Sequence, residues 1–122
     1  MYRITGDLDL GDIVGSEIHQ ICLGRYDVQF RFGSKTLIAV QNRATLLENG
    51  ETIGAWDEET NWTSLAFQRL LNLRVESYSV PNDRLLEIRF YGGLALHLHD
   101  DSDQFESIHI YPRGETVGLI VI

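Results

Sequence analysis

The chain has little that could stabilise it covalently, because it contains a single cysteine, Cys22, in 122 residues. A disulfide needs two thiols, so a small disulfide-linked secreted domain is excluded and a reducing compartment is favoured. We expect Cys22 to be a small buried apolar residue. No run approaches the ~18 apolar residues of a membrane span, and the N-terminus lacks the apolar run of a signal peptide. These absences predict a cytoplasmic protein with no membrane partner.

Basic residues are also scarce, since 10 Lys and Arg stand against 18 Asp and Glu, for a net charge of −8. Such a charge repels phosphate backbones, so the composition argues against a nucleic-acid partner. The acidic residues form two local clusters, Asp57-Glu58-Glu59 and Asp100-Asp101-Ser102-Asp103. One interpretation of the excess is solubility. The other is a surface suited to a basic protein partner.

Catalytic motifs are missing as well. The chain has no Gly-x-Ser-x-Gly elbow and no phosphate-binding loop. His19 and Cys22 are three residues apart, so on a strand they would face opposite sides and would make a poor catalytic dyad. The aspartates after residue 99 lack the glycine and the later glutamate of a calcium loop. We therefore predict a protein that is not an enzyme and carries no cofactor.

What the chain does contain is an apolar pattern that occurs twice, with an offset of 57 to 58 residues. Apolar and polar residues alternate over 28–32 and 36–40, and again over 86–90 and 94–99, which predicts two hairpins. Each hairpin has a glycine-containing turn, where glycine would supply the positive φ. A further strand precedes each hairpin, at 17–23 and 75–80. The halves, about 10–41 and 67–99, are thus predicted as repeats within a single domain, 1–122.

Residues 60–71 are the one convincing helix, with polar capping types before it and Asn72 as a left-handed terminator. Two more strands are predicted at 105–111 and 116–121. The fold class is therefore α+β, mainly β, with two repeated three-stranded antiparallel meanders and one intervening helix. The predicted shared core comprises Phe30, Phe32, Ile38, Val40, Leu86, Ile88, Phe90, Leu96 and Leu98.

Each tryptophan has two interpretations. Trp56 and Trp62 flank the first acidic cluster and could anchor a partner surface, because tryptophan is enriched at interface hot spots. We favour the structural interpretation, in which Trp56 ends a strand and Trp62 packs the first turn of the helix.

A polar face opposite the core is the candidate for function. If the strand at 105–111 pairs back on 94–99, with Phe105 opposite His99, then His109 lies diagonally next to His97 at about 7 Å. His97, His99 and His109 with Asp101 or Asp103 could hold zinc or nickel. We favour a solvated face whose imidazoles titrate near neutral pH, without a metal. The candidate partner-binding residues are Arg89, His97, His99, Asp100, Asp101, Asp103, His109 and Tyr111.

The order of helix, strand, glycine hairpin, acidic loop and Phe105-Glu106-Ser107-Ile108 resembles a family of short bacterial domains of unknown function. Those domains carry Tyr-Glu-Ala-Trp after the acidic loop, so Phe105 and Ile108 are departures. The resemblance implies no activity, and by analogy it suggests immunity proteins, which neutralise toxins. We expect an immunity-like inhibitor of a basic protein partner, and exposed edge strands predict a homodimer. The alternative is a small metal- or ligand-binding domain that uses His97, His99 and His109.

Overall fold

The computed structural model describes residues 3–59 and 65–122 and is mostly β, with two five-stranded antiparallel sheets and little helix. In the first sheet the strand order is β1-β2-β3-β9-β10, and in the second it is β5-β4-β8-β7-β6. The strands are β1 (Ile18–Leu23), β2 (Val28–Phe32), β3 (Leu37–Val40), β4 (Arg43–Glu48), β5 (Glu51–Asp57), β6 (Val75–Asn82), β7 (Leu85–Phe90), β8 (Leu94–His99), β9 (Ile108–Tyr111) and β10 (Ile120–Val121).

One hydrophobic core lies between the sheets. Along β8 the leucines are buried and the alternate residues only partly so, as the period of two in its sequence predicts. Inward-facing residues of both sheets belong to a single apolar cluster. All nine predicted core residues are in it, so the prediction that the two halves share one core is confirmed.

The strands β1-β2-β3 and β6-β7-β8 each pair as an antiparallel series. In the β7–β8 turn Gly92 and Gly93 have φ of 101° and 90°, as a tight turn requires. In the β2–β3 turn the positive φ falls on Lys35, at 75°, and not on Gly33. The expectation that glycine supplies it there is therefore wrong.

Between these series lies a hairpin, β4–β5, of which the sequence predicted only a strand ending at Trp56. β4 pairs with β8 and so widens the second sheet. Three consecutive residues of β4 are buried, Ala44, Thr45 and Leu46, so its sequence carries no clear alternation. Trp56 lies one residue before the end of β5, close to the strand end predicted for it, and it is fully buried.

The described part of the predicted helix winds more tightly than an α-helix. Residues 60–64, including Trp62, lie outside the described part, and Leu65–Leu70 form a 3-10 helix. Its Phe67 packs edge-on against Phe30, with ring centroids 5.8 Å apart. Asn72 has φ of 67°, which confirms it as the left-handed terminator. Within residues 3–59 and 65–122, no helix has the length and apolar composition needed to span a lipid bilayer.

The predicted pairing of the strand after the acidic loop is wrong. β9 pairs with β3, placing His109 opposite Ala39, and with β10 on its other side. It cannot join β8, because β4 and β7 already occupy both edges of that strand. The chain therefore crosses from the second sheet to the first through residues 100–107. The last predicted strand, 116–121, is reduced to Ile120–Val121.

Candidate functional site

The predicted histidine face is divided between the two sheets. His97 and His99 lie on β8 in the second sheet, whereas His109 and Tyr111 lie on β9 in the first. The rings of His97 and His99 are 6.1 Å apart, and His109 instead stacks edge-on with Tyr111. In the described part of the chain, no group of three or more His, Cys, Asp or Glu side chains is placed to hold a metal ion.

His97 is bound to Glu87, its cross-strand neighbour on β7. Its Nε2 lies 2.7 Å from one Glu87 carboxylate oxygen, and Arg89 Nε donates to the other oxygen, also over 2.7 Å. Burial raises the pKa of Glu87, but the hydrogen bonds from Arg89 and His97 outweigh it and hold that pKa below its usual value. We call the surrounding hollow of about 530 Å³ the His97 cleft, which Leu47 and Ala95 also line.

The prediction that the imidazoles of this face titrate near neutral pH does not hold for His99. Burial in the first place, and then the nearby Arg43 charge, lower the pKa of His99 to about 4. Arg43 Nη2 lies 3.2 Å from His99 Nδ1 and can only donate. Nδ1 of the neutral ring is therefore the acceptor, and Nε2 carries the proton that is donated to Thr45 Oγ1 over 3.0 Å.

The acidic loop after β8 is held by arginines that are distant in sequence. Asp100 is fully buried and accepts hydrogen bonds of 2.7 Å from both Ser107 Oγ and Arg3 Nη1. Its burial places Asp100 out of reach of a partner in this structure, which counts against its selection as a partner-binding residue. Asp103 pairs with Arg84 and Arg3, and the hydrogen bond from Arg84 is the main reason that its pKa is lowered.

Asp101 is paired too, but it stays at the surface. Arg43 Nε donates to its carboxylate over 2.8 Å, and both side chains are about two-fifths exposed. Asp101 and Asp103 thus remain within reach of a partner, although each already has a cationic neighbour.

The loops of both sheets meet at one end of the molecule, which we call the acid end. The register places His99 opposite Arg43 and Leu85, and Val40 opposite Val28 and Ile108, so the adjoining turns share this end. Among the described residues, the turns and connections at this end carry Asp27, Asp57, Glu58, Glu59, Asp83, Asp100, Asp101, Asp103 and Glu106, and their basic residues include Arg25, Arg43 and Arg84. Arg3 reaches the same end through its ion pairs with Asp100 and Asp103.

The acid end contains a cleft of about 550 Å³ that sequence reasoning missed. This acid-end cleft is lined by Tyr26, Asp27, Gln41, Asn42, Glu58, Ser102, Phe105 and Glu106. Its two aromatic residues are largely exposed, Tyr26 at 62% and Phe105 at 71%. Three of the lining residues are carboxylates and none is basic. Exposed rings beside carboxylates suit a cationic group.

The carboxylates of the acid-end cleft differ in their partners. Glu106 accepts from His109 Nε2, which lies 2.6 Å away. Asp27 accepts from Gln29 Nε2 over 2.8 Å. None of the ion pairs among residues 3–59 and 65–122 uses Asp27 or Glu58. The sequence signal that was available is an aromatic residue followed by a carboxylate in a loop, at Tyr26-Asp27 and Phe105-Glu106.

The prediction that Cys22 is buried is wrong. Cys22 is exposed, because it lies on the edge strand β1 opposite Gln29 and away from the core.

Trp56 holds one side of the acid-end cleft in place. It is buried, and its Nε1 donates to the Gly24 carbonyl over 3.2 Å. Trp56 therefore positions the β1–β2 turn, which carries Tyr26.

Compared with models of protein families, with curated proteins and with solved structures, the chain matches none of them. Its function is therefore inferred from its own contacts and charges.

Proposed function

We propose that this chain is a non-enzymatic cytoplasmic domain that binds a basic protein partner, in the manner of an immunity-like inhibitor. The observation that carries the proposal is the acid-end cleft, whose lining includes the exposed rings of Tyr26 and Phe105 and three carboxylates but no basic residue. Aromatic side chains are enriched in the centres of protein interfaces, and exposing two of them in one cleft is unfavourable without a partner.

Electrostatics supports the sign of the partner. The net charge of −8 attracts basic proteins over a distance of about a Debye length and accelerates their association. Arg3, Arg43 and Arg84 are paired with Asp100, Asp101 and Asp103, so their charges offset that loop and not the acid-end cleft. The lining of the cleft includes three carboxylates, and the neighbouring groups of opposite or titratable charge are Arg25 on the Tyr26 ring and His109 beside Glu106. This balance of charge favours a cationic partner.

The geometry of His99 supports a binding domain over a hydrolase. Thr45 Oγ1 lies 3.0 Å from His99 Nε2, an arrangement that resembles the nucleophile and general base of a hydrolase. Because Arg43 fixes the tautomer with the proton on Nε2, His99 donates to Thr45 and cannot take its proton.

Affinity capture with matched variants tests the proposal. The immobilised wild-type chain is exposed to lysate of the source organism, beside a Tyr26→Ala/Phe105→Ala double variant and a Tyr91→Ala control. Tyr91 is 55% exposed in the β7–β8 turn, at the opposite end of the second sheet. We expect the wild type and the control to capture the same basic protein, and the double variant to lose it.

Purified partner then allows a quantitative test. We expect affinity to fall as salt rises from about 50 to 300 mM, because the attraction is screened. An acidic partner, equal capture by the double variant, or no specific capture at all would overturn the proposal.

A small-ligand site is the second candidate, and the His97 cleft favours it. Glu87 and His97 are only 14% and 18% exposed at its floor, with apolar Leu47 and Ala95 beside them. Calorimetric titration with zinc, repeated on His97→Ala, tests its metal-binding form. We expect no sub-micromolar binding, because Glu87 already engages His97, and such binding abolished by the substitution would favour this candidate instead.

A further inference from the structure

We infer that the acid-end cleft takes an arginine side chain of the basic partner, with its guanidinium plane against Phe105 and its N–H groups directed to the carboxylates. This inference rests on the proposed function and names the group that the cleft selects. It distinguishes arginine from lysine, which carries the same charge in a different shape.

The chain itself places a guanidinium on one ring of the cleft. Arg25 Cζ lies 5.2 Å from the centroid of the Tyr26 ring, within the range of a cation–π contact. The chain's own Arg25 thereby covers one face of the Tyr26 ring. The contact shows that the rim of the cleft can receive a planar cation against an aromatic ring.

Phe105 offers a second ring of the same kind. It is 71% exposed, and among residues 3–59 and 65–122 no aromatic or cationic side chain stacks on it. Its backbone is held in place, since its N–H donates to Ser102 Oγ over 2.9 Å. A loop backbone that is held before binding costs less conformational entropy when a partner docks.

The polar atoms around Phe105 match the donors of a guanidinium. Glu106 follows it in the chain, and Glu58 lines the same cleft without an ion pair among the described residues. A guanidinium presents five N–H donors in one plane, so it can stack on a ring and bind a carboxylate at its edge. An ammonium group is a compact, strongly hydrated charge that cannot do both in this way.

Peptide titration of the full chain tests the inference with defined probes. The probes are Ac-(Gly-Arg)₃-NH₂ and Ac-(Gly-Lys)₃-NH₂, which have equal charge, and binding is followed by chemical shifts of the backbone amides. We expect the arginine peptide to bind about fivefold more tightly, since an exposed cation–π contact is worth up to about 1 kcal/mol. The largest shifts are expected at residues 26, 58, 105 and 106.

Variants separate stacking from charge. Phe105→Leu keeps an apolar side chain but removes the ring, so we expect it to abolish the preference for arginine and leave the lysine peptide unaffected. Glu58→Gln should weaken both peptides, whereas Glu115→Gln, an equal change of charge on the exposed β9–β10 connection, should affect them much less.

The outcomes distinguish the inference from the proposed function. Equal affinity for the two peptides, or a preference that survives Phe105→Leu, would overturn the arginine inference while leaving a basic partner in place. Failure of both peptides to bind at millimolar concentration would also overturn it. In that case the capture experiment decides the proposed function separately.

Discussion

At the scale of single residues, arginines decide which acidic groups remain available. Asp100, Asp101 and Asp103 look alike in the sequence, and each forms an ion pair with an arginine, Arg3, Arg43 or Arg84 respectively. The three carboxylates nevertheless differ in burial, since Asp100 is fully buried and the other two are exposed. Ion pairs at exposed positions contribute little to stability, whereas a buried carboxylate that loses its partners is costly. Asp100 therefore has a structural role.

Replacing Asp100 with Asn tests that assignment. The substitution removes the charge that Arg3 and Ser107 bind in a fully buried position. We expect a loss of about 2 to 3 kcal/mol in the free energy of unfolding, measured by urea denaturation. The exposed Asp83→Asn, in the neighbouring turn, should change it by less than about 0.5 kcal/mol. Equal effects of the two substitutions would contradict the structural role of Asp100.

His99 makes the free energy of unfolding depend on pH. Its pKa is lowered to about 4 in the folded state, whereas an unfolded histidine titrates near 6.5. Between these values the unfolded chain binds more protons, so the contribution of His99 is present above pH 6.5 and is lost as the pH falls toward 4.

The measurement compares urea unfolding of the wild type and His99→Gln at pH 7 and pH 4.5. Because the side chain is partly exposed, we expect the wild type to lose about 2 kcal/mol more than the variant over this interval. Comparing the two chains cancels the titration of the carboxylates that they share. An identical pH dependence of both chains would show that His99 does not contribute.

At the scale of elements, close approach between β5 and the 3-10 helix holds the middle of the chain on the second sheet. Gly54 of β5 pairs opposite Leu46, and a Cβ added to Gly54 would lie 2.8 Å from the Cβ of Ala66. No flexible side chain could move aside there, because the atom it meets is itself a Cβ.

Gly54→Ala is therefore expected to destabilise the protein by about 1 to 3 kcal/mol through overpacking. Gly6→Ala is the matched control, since an added Cβ there meets nothing within 4 Å. Combining Gly54→Ala with Ala66→Gly should recover part of the lost free energy, as a double-mutant cycle would show. Additive losses would mean that the two residues do not touch.

At the scale of the whole molecule, we expect a homodimer. The outward side of β3 does not supply its interface, because Ala39 is buried between Gln29 and His109. The edge at β10 is the better candidate. β10 pairs only with β9 among the described strands, and the residues before it, Val117 and Leu119, are 80% and 37% exposed.

Light scattering at concentrations on the order of tens of micromolar should give twice the chain mass of 13.9 kDa. Val117→Asp should shift the protein to monomer, because two charges would meet across a two-fold axis. Phe105→Ala, at the other end of the molecule, should leave the dimer intact. A monomeric wild type would contradict the expectation.

Much of the fold could be predicted because alternation is a local property of a strand. Leu94, Leu96 and Leu98 point to one side wherever β8 is placed, so the core and both hairpins follow from the pattern. β4 escaped prediction because three of its consecutive residues are buried, which hides the period of two. The candidate site was predicted less well, since its residues come from loops that have no period.

The sequence by itself determined the two hairpins, the shared core, the acidic charge and the absence of a catalytic motif. Only the tertiary structure decided that His109 lies in another sheet from His97, because β4 and β7 leave β8 no free edge. It also decided that Asp100 is buried and that Phe105 is exposed. The physical reason is that local pattern sets which face of a strand is apolar, whereas strand partners and side-chain neighbours depend on the assembly of the whole chain.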